Sequence, residues 1–380
     1  DLLNLNENLP SPISKDYNWP GLYKPFDHQR VTSEFLSINK RGFCFNEAGT
    51  GKTSSALWAA DYLMNKGKVK RVLVICPLSI MYSAWQADIF NTCMHRTSQV
   101  CHGTKDKREK IINSKYEFII INYDGVAIVK EDIRKADFDL VIVDEANAYK
   151  STTTSRWKTL SKILRPHTRL WMMTGTPASQ SPEDAYGLAK LVSPNRVPKF
   201  RNAWRDRVMY QVSRFRWLPR PTAKDEVFKA LTPAIRFAKD ECLDLPEVMY
   251  QTRDIPLTAQ AENNILNELI HGDVSARERA NIIDNFQTQN EPKVLVIQPQ
   301  AAAHGVTLTA ADTVVFWSPV MSVEVYLQCI ARIDRVGQKN KMTIVHLQGS
   351  DVEKRMYAML RGKVDQHTKL VDLYREELES

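Results

Sequence analysis

Residues 46–60 read NEAGTGKTSSALWAA, a glycine-rich turn that leads into a helix-forming segment. Such a turn lets backbone N–H groups approach a chain of phosphates, and the following helix points its positive N-terminus at the same anion. We expect Lys52 to place its charge on the β- and γ-phosphates of ATP, and the Thr53 hydroxyl to reach Mg²⁺. The expected nucleotide-binding residues of this loop are Glu47, Ala48, Gly49, Thr50, Gly51, Lys52 and Thr53.

One position departs from the strict phosphate-loop pattern G-x-x-x-x-G-K-[ST], because Asn46 stands where the first glycine belongs. The surrounding sequence still supports the assignment. A short apolar run, GFCF at 42–45, precedes the loop, and a helix-forming run follows it. Strand, loop and helix follow one another in this order in phosphate-binding sites.

Short apolar runs alternate with amphipathic segments between residues 43 and 177. Each run is followed by polar, Gly or Pro residues, a pattern typical of buried parallel strands joined by helices. The runs are VLVICP (72–77), FIIINY (118–123), LVIVDE (140–145) and LWMMTGTP (170–177). Functional loops of such α/β lobes lie at the carboxyl ends of the strands, so we expect a nucleotide site there.

The run VIVDEAN at 141–147 supplies the second half of that site. We expect Asp144, at a strand end, to hold Mg²⁺ directly or through water, which makes Thr53 and Asp144 the predicted metal-binding residues. Glu145 is expected to orient and polarise the attacking water. The alternative is an Asp-Glu pair that caps a helix, and the phosphate loop upstream in the chain argues against it.

The composition is that of an ordinary globular protein, with 380 residues, 43% hydrophobic and 25% charged. No run reaches the ~18–20 apolar residues of a membrane span, and the first 20 residues do not resemble a secretory signal. We therefore expect a soluble intracellular protein without membrane contact. The net charge of +8 favours a polyanionic partner.

Six cysteines lie at positions 44, 76, 93, 101, 242 and 329, and none forms a C-x-x-C pair. Reduced thiols explain them better than disulfides in an intracellular protein. Cys93, His95, Cys101 and His102 have the residue types of a zinc site, but their spacing matches no common one. We expect these four side chains to be ordinary surface and core residues.

Residues 193–246 interrupt the alternation and are rich in Pro, Arg and Trp. We find no clear strand there and predict a mostly helical insert between two α/β lobes. Within it, residues 196–220 hold eight basic side chains against the single acid Asp206, and so carry seven of the eight net charges.

Aromatic residues are interleaved with these charges at Trp204, Phe215 and Trp217. The block is therefore either an auxiliary clamp for nucleic acid or an exposed insert whose aromatics pack internally. The residues expected to bind DNA in the clamp hypothesis are Arg201, Arg205, Arg214 and Arg216.

Together these segments resemble the Swi/Snf-type DNA translocases of helicase superfamily two. The matching blocks follow the family's order across most of residues 24–347, and the segment QCIARIDRVGQKNKMTIVHL (328–347) closely matches the R-x-x-R-x-G-Q signature. The segment AYKSTTTSRWKTL (148–160) has the Lys-then-Ser/Thr pattern that distinguishes this family. The other blocks are FDHQR (26–30), NEAGTGKT (46–53), CPLSIMYSAWQADI (76–89), INYDG (121–125), DEAN (144–147), MTGTPASQSPEDAYGLAKLVSP (173–194), HGDVSARERANIIDNFQ (271–287) and QPQAAAHGVTLTAADTVVFWSP (298–319).

The resemblance implies an α/β fold of two RecA-like parallel-sheet lobes with a mostly helical insert between them. The second lobe has apolar strand runs at 293–298, 313–319 and 342–347 and a closing helix, but 258–271 has room for one helix only. We favour a segment missing near 259–270, and a truncated lobe is the alternative. The predicted divisions are an N-terminal arm (1–20), the first lobe (21–192), the insert (193–258), the second lobe (259–360) and a C-terminal helix (361–380).

The resemblance also implies ATP and Mg²⁺ as cofactors and double-stranded DNA as the partner. It makes Gln29 the adenine-reading residue and adds Gly305 to the nucleotide-binding residues. Asn147 stands where the family usually has His or Gln, and this departure bears on coupling between ATP and DNA more than on hydrolysis itself. Asp334 stands where the family often has His. The residues expected to couple ATP to DNA are Asn147, Thr174, Gly175, Thr176 and Gln338.

Arg332 and Arg335 are three residues apart, so on a helix they share one face. We expect them to reach across the cleft and neutralise charge that builds on the γ-phosphate. A motor that steps along any sequence must hold the DNA backbone, for which Thr307 and Thr309 are candidates.

Three alternatives stay open: a strand-separating helicase of the same superfamily, a DNA-binding scaffold with a degenerate ATP site, and a phosphate-loop ATPase that acts on protein. The insert and the phrase PAIRFAKDECLDLP (233–246) are most similar to versions encoded by tailed bacteriophages, which would place a viral protein in the cytoplasm of a bacterial host. A monomer is favoured, although the sequence does not fix the oligomeric state.

Overall fold

A computed structural model describes residues 12–178, 180–214, 216–254, 267–270, 274, 276–289, 294–299 and 306–379. These residues form two compact units, the first made mainly of the chain up to Ala238 and the second mainly of Lys239–Asp372. Each unit contains parallel strands, so the predicted α/β class with two parallel-sheet lobes is confirmed. The predicted residues Phe215 and Gly305, and the part of the segment 259–270 before Asn267, lie outside the described residues.

The first unit is built on a parallel sheet. Its strands are β1 (Arg41–Cys44), β2 (Val72–Cys76), β3 (Ser98–Cys101), β4 (Phe118–Asn122), β5 (Leu140–Val143), β6 (Arg169–Met173), β7 (Met209–Ser213), β8 (Arg216–Pro219) and β9 (Ala234–Ile235). Seven of these pair in parallel in the order β3–β4–β2–β5–β6–β1–β9, and β7 and β8 form an antiparallel hairpin. The four apolar runs predicted as strands between residues 72 and 177 are confirmed as β2, β4, β5 and β6.

Helices connect these strands. They are α1 (Pro12–Asp16), α2 (Asp27–Ile38), α3 (Lys52–Asn65), α4 (Ala87–Thr92), α5 (Lys105–Ile112), α6 (Tyr123–Ile128), α7 (Lys130–Ala136), α8 (Ser155–Ile163), α9 (Ala185–Val192), α10 (Arg201–Val208) and α11 (Ala223–Ala230). A π-helical turn, Met81–Gln86, precedes α4. The apolar strand residues are buried under these helices, which is why the central strands tolerate almost no polar side chain.

Strand register brings the functional loops to one edge of this sheet. Cys44 of β1 lies opposite Met173 of β6, whose neighbour Met172 lies opposite Val143 of β5. Val143 in turn lies opposite Ile75 of β2. Because parallel strands end at the same edge, the loops after β1, β6, β5 and β2 are neighbours.

The second unit has a smaller set of elements: α12 (Lys239–Cys242), β10 (Val248–Asp254), β11 (Asn267–Ile270), α13 (Ala276–Thr288), β12 (Val294–Ile297), β13 (Thr313–Phe316), α14 (Val323–Ile330), β14 (Met342–Gln348) and α15 (Asp351–Glu379). Strands β10, β14 and β13 form one parallel sheet, and β11 and β12 pair in parallel. Its core packs side chains of α14 and α15 onto β13 and β14. The predicted second-lobe strands and closing helix are confirmed.

The insert differs from its prediction in one respect. Helices α10 and α11 are present, but the expectation of no clear strand in 193–246 is wrong, because β7 and β8 form a hairpin there and β9 joins the first sheet. The hairpin side chains are largely exposed. An exposed ribbon needs no alternation of apolar and polar residues, so it left no periodic signal.

All six cysteines are free thiols, and Cys93 and Cys101 are buried. His95 lies 2.8 Å from a carboxylate oxygen of Asp61. Within the described ranges, no group of three or more His, Cys, Asp and Glu residues is arranged to hold a metal ion. The described helices also include none that is long and apolar enough to cross a membrane.

Candidate functional site

The candidate phosphate loop joins β1 to α3. Gly49 and Gly51 have φ values of 91° and 78°, a left-handed backbone that other residues adopt at a cost. Helix α3 begins at Lys52, whose ammonium group donates hydrogen bonds to the backbone oxygens of Asn46 (2.9 Å) and Glu47 (3.1 Å). Lys52 therefore lies across the loop at the positive end of α3, where its charge can meet a bound phosphate.

Asn46, at the position of the missing first glycine, connects three segments of the first unit. Its side-chain amide donates to the Thr32 hydroxyl on α2 at 2.8 Å. Its side-chain oxygen accepts a hydrogen bond from the Phe237 backbone N–H at 3.1 Å. The departure from the strict pattern therefore has a structural reason, since a glycine would make neither bond.

Arg236 supports the same loop from the segment that follows β9. Its guanidinium donates to the backbone oxygens of Phe45 (2.9 Å) and Phe237 (3.0 Å) and to a Glu47 carboxylate oxygen (2.6 Å). The Arg236 side chain is 4% exposed, and that of Glu47 is 36% exposed. Sequence reasoning missed Arg236, which is almost 200 residues from the loop it holds.

Gln29, predicted to read the adenine, lies against the loop. Its side-chain oxygen accepts a hydrogen bond from the Phe26 backbone N–H at 3.0 Å, which fixes the start of α2. Its side-chain nitrogen faces Gly51 so closely that a Cβ on Gly51 would overlap it. Glycine is favoured at position 51 by the left-handed backbone angle, and a larger residue would also displace the Gln29 amide.

Asp144 directly follows β5 and is 8% exposed. One carboxylate oxygen accepts a hydrogen bond from the Trp85 indole N–H (2.9 Å) and the other from the Glu145 backbone N–H (3.0 Å). These two donors fix the plane of the carboxylate. Trp85 belongs to the family-like block at 76–89, but the sequence does not predict its contact with Asp144.

Glu145 has a left-handed backbone, with φ 48° and ψ 58°. This conformation is costly for a residue with a Cβ and persists where the surroundings enforce it. The Tyr123 hydroxyl donates to the backbone oxygens of Asp144 (2.7 Å) and Glu145 (3.3 Å). The predicted catalytic pair is therefore held by side chains from β2–α4 and β4–α6.

The predicted coupling residues of the first unit are brought together. The Asn147 side-chain amide donates to both the backbone oxygen and the hydroxyl of Thr176, each at 3.0 Å. The Thr174 hydroxyl accepts a hydrogen bond from the Thr176 backbone N–H at 3.2 Å, and the Thr174 N–H donates to Cys44 O at 3.0 Å. The loops after β5 and β6 are thereby joined by direct bonds, and the loop after β6 is also bonded to the last residue of β1, with Gly175 between the two threonines.

A second set of contacts joins the segment after the acidic pair Asp144–Glu145 to helix α9. Lys150 forms an ion pair with Asp184 at 3.3 Å, although burial raises the pKa of that carboxyl group. The Trp157 indole donates to the backbone oxygen of Gly187 at 2.8 Å, and a Cβ on Gly187 would overlap Lys150 O. The segment after the acidic pair is thus packed directly on α9.

These residues fit ATP and Mg²⁺. The loop offers glycine backbone and a lysine ammonium for phosphate, and Thr53 is the second residue of α3. A carboxylate oxygen accepts more than one partner, so the hydrogen bonds to Asp144 are compatible with binding a cation. Burial raises the pKa of the Cys44 thiol beneath the loop to about 11, so this thiol stays neutral.

The second unit places Arg332 and Arg335 differently from the prediction. Helix α14 ends at Ile330, so the expectation that both arginines share a helical face is wrong. The Arg332 backbone oxygen accepts a hydrogen bond from Leu308 N–H, and this tertiary bond replaces continuation of the helix. The Arg332 guanidinium donates to Gln328 O (2.8 Å) and Val306 O (3.2 Å).

Arg335 and Gln338 organise the turns after α14. Arg335 donates to the Thr307 hydroxyl at 2.8 Å, so Thr307 contacts an arginine of its own unit. Gln338 donates to Ala311 O at 2.8 Å and accepts from the backbone N–H groups of Lys339 and Asn340. Gln338, predicted to couple ATP to DNA, is in this structure a buried connector within the second unit.

Two further predicted residues of this unit have neighbours within it. The Thr309 hydroxyl lies 3.4 Å from the Gln287 side-chain amide on α13. Asp334 forms an ion pair with Lys239 of α12, and Lys239 also donates to Asp334 O at 2.8 Å. The acid that stands where the family often has His is thus paired with a lysine.

Comparison with known proteins identifies the family. The model of the SNF2-related domain matches residues 28–297, more than half of the chain. The chain belongs to the SNF2-related family. The resemblance to Swi/Snf-type proteins drawn from the sequence blocks is therefore confirmed.

SNF2-related relatives are similar over most of this chain. The Xenopus laevis SWI/SNF-related matrix-associated actin-dependent regulator of chromatin subfamily A-like protein 1 is 22% identical, over 90% of this chain and 43% of its own length. The human DNA annealing helicase and endonuclease ZRANB3 is 22% identical, over 95% of this chain and 42% of its own length. The chain thus spans less than half the length of these curated relatives.

Solved structures of SNF2-type proteins share the fold. The Sulfolobus solfataricus SWI2/SNF2 ATPase core in complex with dsDNA superposes with a TM-score of 0.53 at 17% identity, over 95% of this chain and 97% of that one. The core domain of the same organism alone gives a TM-score of 0.50 at 16% identity, over 92% of each chain.

The basic insert of this SNF2-related chain uses part of its charge and aromatic surface internally. Trp204 is fully buried and donates to Pro182 O at 3.3 Å, as the internal-packing alternative expects. Arg201 forms an ion pair with Glu183 at 3.2 Å, and the Arg205 guanidinium lies 4.2 Å from the centroid of the Trp217 ring. Arg214 and Arg216 lie at the exposed end of the hairpin.

Proposed function

We propose that this protein is an ATP-dependent translocase that moves along double-stranded DNA. The observation that carries the proposal is the pair of hydrogen bonds from Asn147 to Thr176. These bonds connect the loop that holds Asp144 and Glu145 to the loop after the neighbouring strand β6. Membership of the SNF2-related family supports DNA as the polymer on which that hydrolysis acts. A related ATPase core has been solved with double-stranded DNA, which agrees with a duplex as the partner.

In this proposal the first unit supplies the chemistry of hydrolysis. Lys52 binds the β- and γ-phosphates, and Thr53 and Asp144 hold Mg²⁺, which neutralises charge on the phosphoryl oxygens when bound. Glu145 orients the attacking water. Gln29, at the start of α2, contributes to nucleotide recognition, and backbone N–H groups of 47–51 cradle the phosphates.

Arg332 and Arg335 of the second unit complete the site in the ATP state of this proposal. Guanidinium groups are permanently charged and planar, so they suit the charge that develops on the transferred phosphoryl group. Because ATP would favour the closed state and its hydrolysis the open state, the difference in affinity converts chemistry into movement. Gly305 is proposed to bind the nucleotide, and Gln338 to couple ATP hydrolysis to DNA.

DNA contact is proposed to be mainly with the phosphate backbone, because a motor that steps along any sequence cannot depend on base readout. Thr307 and Thr309 are the proposed contacts in the second unit. The basic insert adds an auxiliary clamp whose proposed DNA contacts are Arg201, Arg205, Arg214 and Arg216, of which Arg214 and Arg216 are exposed on the hairpin.

Three further parts of the proposal concern the chain as a whole. A tailed bacteriophage is the proposed source, on the basis of the insert and the phrase at 233–246, with the protein a monomer in the bacterial cytoplasm. A segment is proposed to be missing near 259–270. Its support is that the Xenopus alignment runs over 432 positions although it covers 90% of a 380-residue chain, so the relative has residues where this chain has none.

The experiment that tests the proposal measures ATP turnover in parallel with duplex DNA, single-stranded DNA and RNA. We expect duplex DNA to stimulate turnover most, and Lys52→Ala to abolish turnover while retaining DNA binding. Greater stimulation by single strands would favour a strand-separating helicase, and no stimulation by any nucleic acid would favour an ATPase that acts on protein. Full turnover by Glu145→Gln would contradict the assigned chemistry and favour a scaffold with a degenerate site.

A further inference from the structure

Tyr123 is the first residue of α6 and belongs to the block INYDG, whose role the proposed chemistry leaves unassigned. Its hydroxyl lies beneath the acidic pair and donates to Asp144 O at 2.7 Å and to Glu145 O at 3.3 Å. Carbonyl oxygens only accept hydrogen bonds, so the Tyr123 hydroxyl is the donor to both.

The backbone that Tyr123 holds determines where the Glu145 carboxylate points. At φ 48° and ψ 58° the Cα–Cβ bond of Glu145 leaves the chain in a direction that no strand or right-handed helix provides. A left-handed conformation at a residue with a Cβ persists only when its neighbours enforce it. Tyr123 contacts the carbonyl oxygens of both peptide groups that flank the Glu145 Cα, and so restrains the rotation about φ and ψ that would release the strain.

The ring of Tyr123 is also connected to the surface. The guanidinium of Arg156 lies 5.4 Å from the Tyr123 ring centroid. The same guanidinium donates two hydrogen bonds to the carboxylate of Asp124, at 2.9 Å and 3.0 Å. These two side chains are 43% and 69% exposed, so the fork of Arg156 is accessible to another anion with the same bidentate geometry, such as a phosphodiester.

We propose that Tyr123 is a positioning residue for Glu145, and that Arg156, by exchanging Asp124 for a DNA backbone phosphate, transmits DNA contact through Tyr123 to the hydrolysis site. This inference rests on the proposed function for its DNA partner. Its first half concerns the geometry of Glu145 alone and is tested without DNA. Tyr123 does not touch the reacting atoms, so it acts through Glu145.

The first test compares Tyr123→Phe with Tyr149→Phe. Tyr149 is a buried neighbour whose ring packs edge-on against Tyr123, with centroids 5.7 Å apart, so both variants lose one buried tyrosine hydroxyl from the same cluster. For Tyr123→Phe we expect kcat to fall about ten-fold, equivalent to about 1.4 kcal/mol, with the KM for ATP within two-fold of the wild type. Tyr149→Phe should keep kcat within two-fold.

A readout independent of turnover separates this inference from the proposed function. Hydrogen exchange at the amides of Glu145 and Ala146 should be faster in Tyr123→Phe than in Tyr149→Phe, because the restraint on their backbone is removed. This holds even if the wild type proves not to hydrolyse ATP, a result that would reject the proposed function alone. Equal exchange in the two variants, or parallel changes in kcat, KM and melting temperature, would overturn the positioning role.

The second test addresses the surface connection. Arg156→Gln keeps a hydrogen-bonding side chain but removes the charge that binds a phosphate. We expect it to lower the ratio of duplex-stimulated to basal kcat at least three-fold. Asp124→Asn, which releases the fork of Arg156, should lower the duplex concentration needed for half-maximal stimulation. An unchanged stimulation ratio in Arg156→Gln would overturn the proposed transmission.

Discussion

Replacing Arg236 with Met tests how far the phosphate loop depends on a residue outside it. The substitution retains the length of the buried aliphatic stem and removes three hydrogen bonds: two to the backbone oxygens of Phe45 and Phe237, and one to the Glu47 carboxylate. It therefore leaves the loop sequence unchanged while removing the charge that holds Phe45 and Glu47.

The expected loss of stability follows from the burial of this pair. Removing one partner of a buried ion pair costs about 3–5 kcal/mol. The Glu47 side chain is 36% exposed, so water can solvate the carboxylate that is left, and the cost should fall near 3 kcal/mol. For a unit of this size each kcal/mol shifts the melting temperature by about 2–4 °C, which gives a decrease of roughly 6–12 °C.

The expected effect on nucleotide binding is separate from the effect on stability. Arg236 fixes Glu47 and Phe45, so its removal should disorder the loop entrance and raise the KM for ATP at least ten-fold, or about 1.4 kcal/mol. The matched control is Arg41→Met at the amino end of β1, where Arg41 donates to Leu191 O (2.9 Å) and Arg165 O (3.1 Å). This control should destabilise the fold and keep the KM within two-fold.

The assay combines differential scanning fluorimetry with steady-state ATP turnover for the wild type and both variants. A KM in Arg236→Met no higher than in Arg41→Met would refute the reasoning, because general destabilisation would then explain the effect. A melting temperature within 2 °C of the wild type would refute the expected contribution of the buried pair.

Three other substitutions or conditions probe separate parts of the molecule. Gly51→Ala should abolish ATP binding, because the added Cβ overlaps the Gln29 amide at a left-handed φ; a dissociation constant within three-fold of the wild type, measured with a fluorescent analogue, would contradict this. Changing Arg214 and Arg216 to Glu should weaken duplex binding. The slope of log binding constant against log salt concentration should become shallower by about 0.9 for each DNA phosphate that is no longer neutralised. An unchanged slope would contradict the clamp. Burial lowers the pKa of His346 in the folded state, so the unfolded state binds a proton at this residue more readily. The stability of the second unit should therefore fall as the pH decreases below about 6.5. Equal denaturation midpoints at pH 7.5 and pH 5.5 would contradict this.

The parts of the fold that the sequence predicts are those that burial or backbone geometry enforces. β2 and β5 were recognisable because a strand covered on both faces must be continuously apolar. The phosphate loop was recognisable because Gly49 and Gly51 need positive φ angles and Lys52 follows at a fixed spacing. The hairpin β7–β8 left no such pattern, since its side chains are mostly exposed.

The parts that escaped prediction depend on hydrogen bonds between distant segments. Arg236 bonds to a residue 191 positions away, Trp85 to one 59 positions away and Tyr123 to one 21 positions away. No periodicity or local spacing encodes such pairs. The end of α14 before Arg332 has the same origin, because the chain is redirected by the bond from Leu308 rather than by a helix-breaking residue.

The side chains of Arg236, Trp85 and Tyr123 bear on whether the ATP site is intact or degenerate. Lys52, Asp144 and Glu145 are necessary for hydrolysis, but each has a geometry that another residue maintains, so their presence alone does not distinguish an enzyme from a scaffold. In this chain Arg236 holds the loop, Trp85 orients the Asp144 carboxylate and Tyr123 restrains Glu145. Each support costs conformational freedom and burial of polar groups, and each fixes the loop or a carboxylate that hydrolysis uses. The presence of all three therefore favours a working ATPase over the degenerate scaffold more strongly than the motif residues alone.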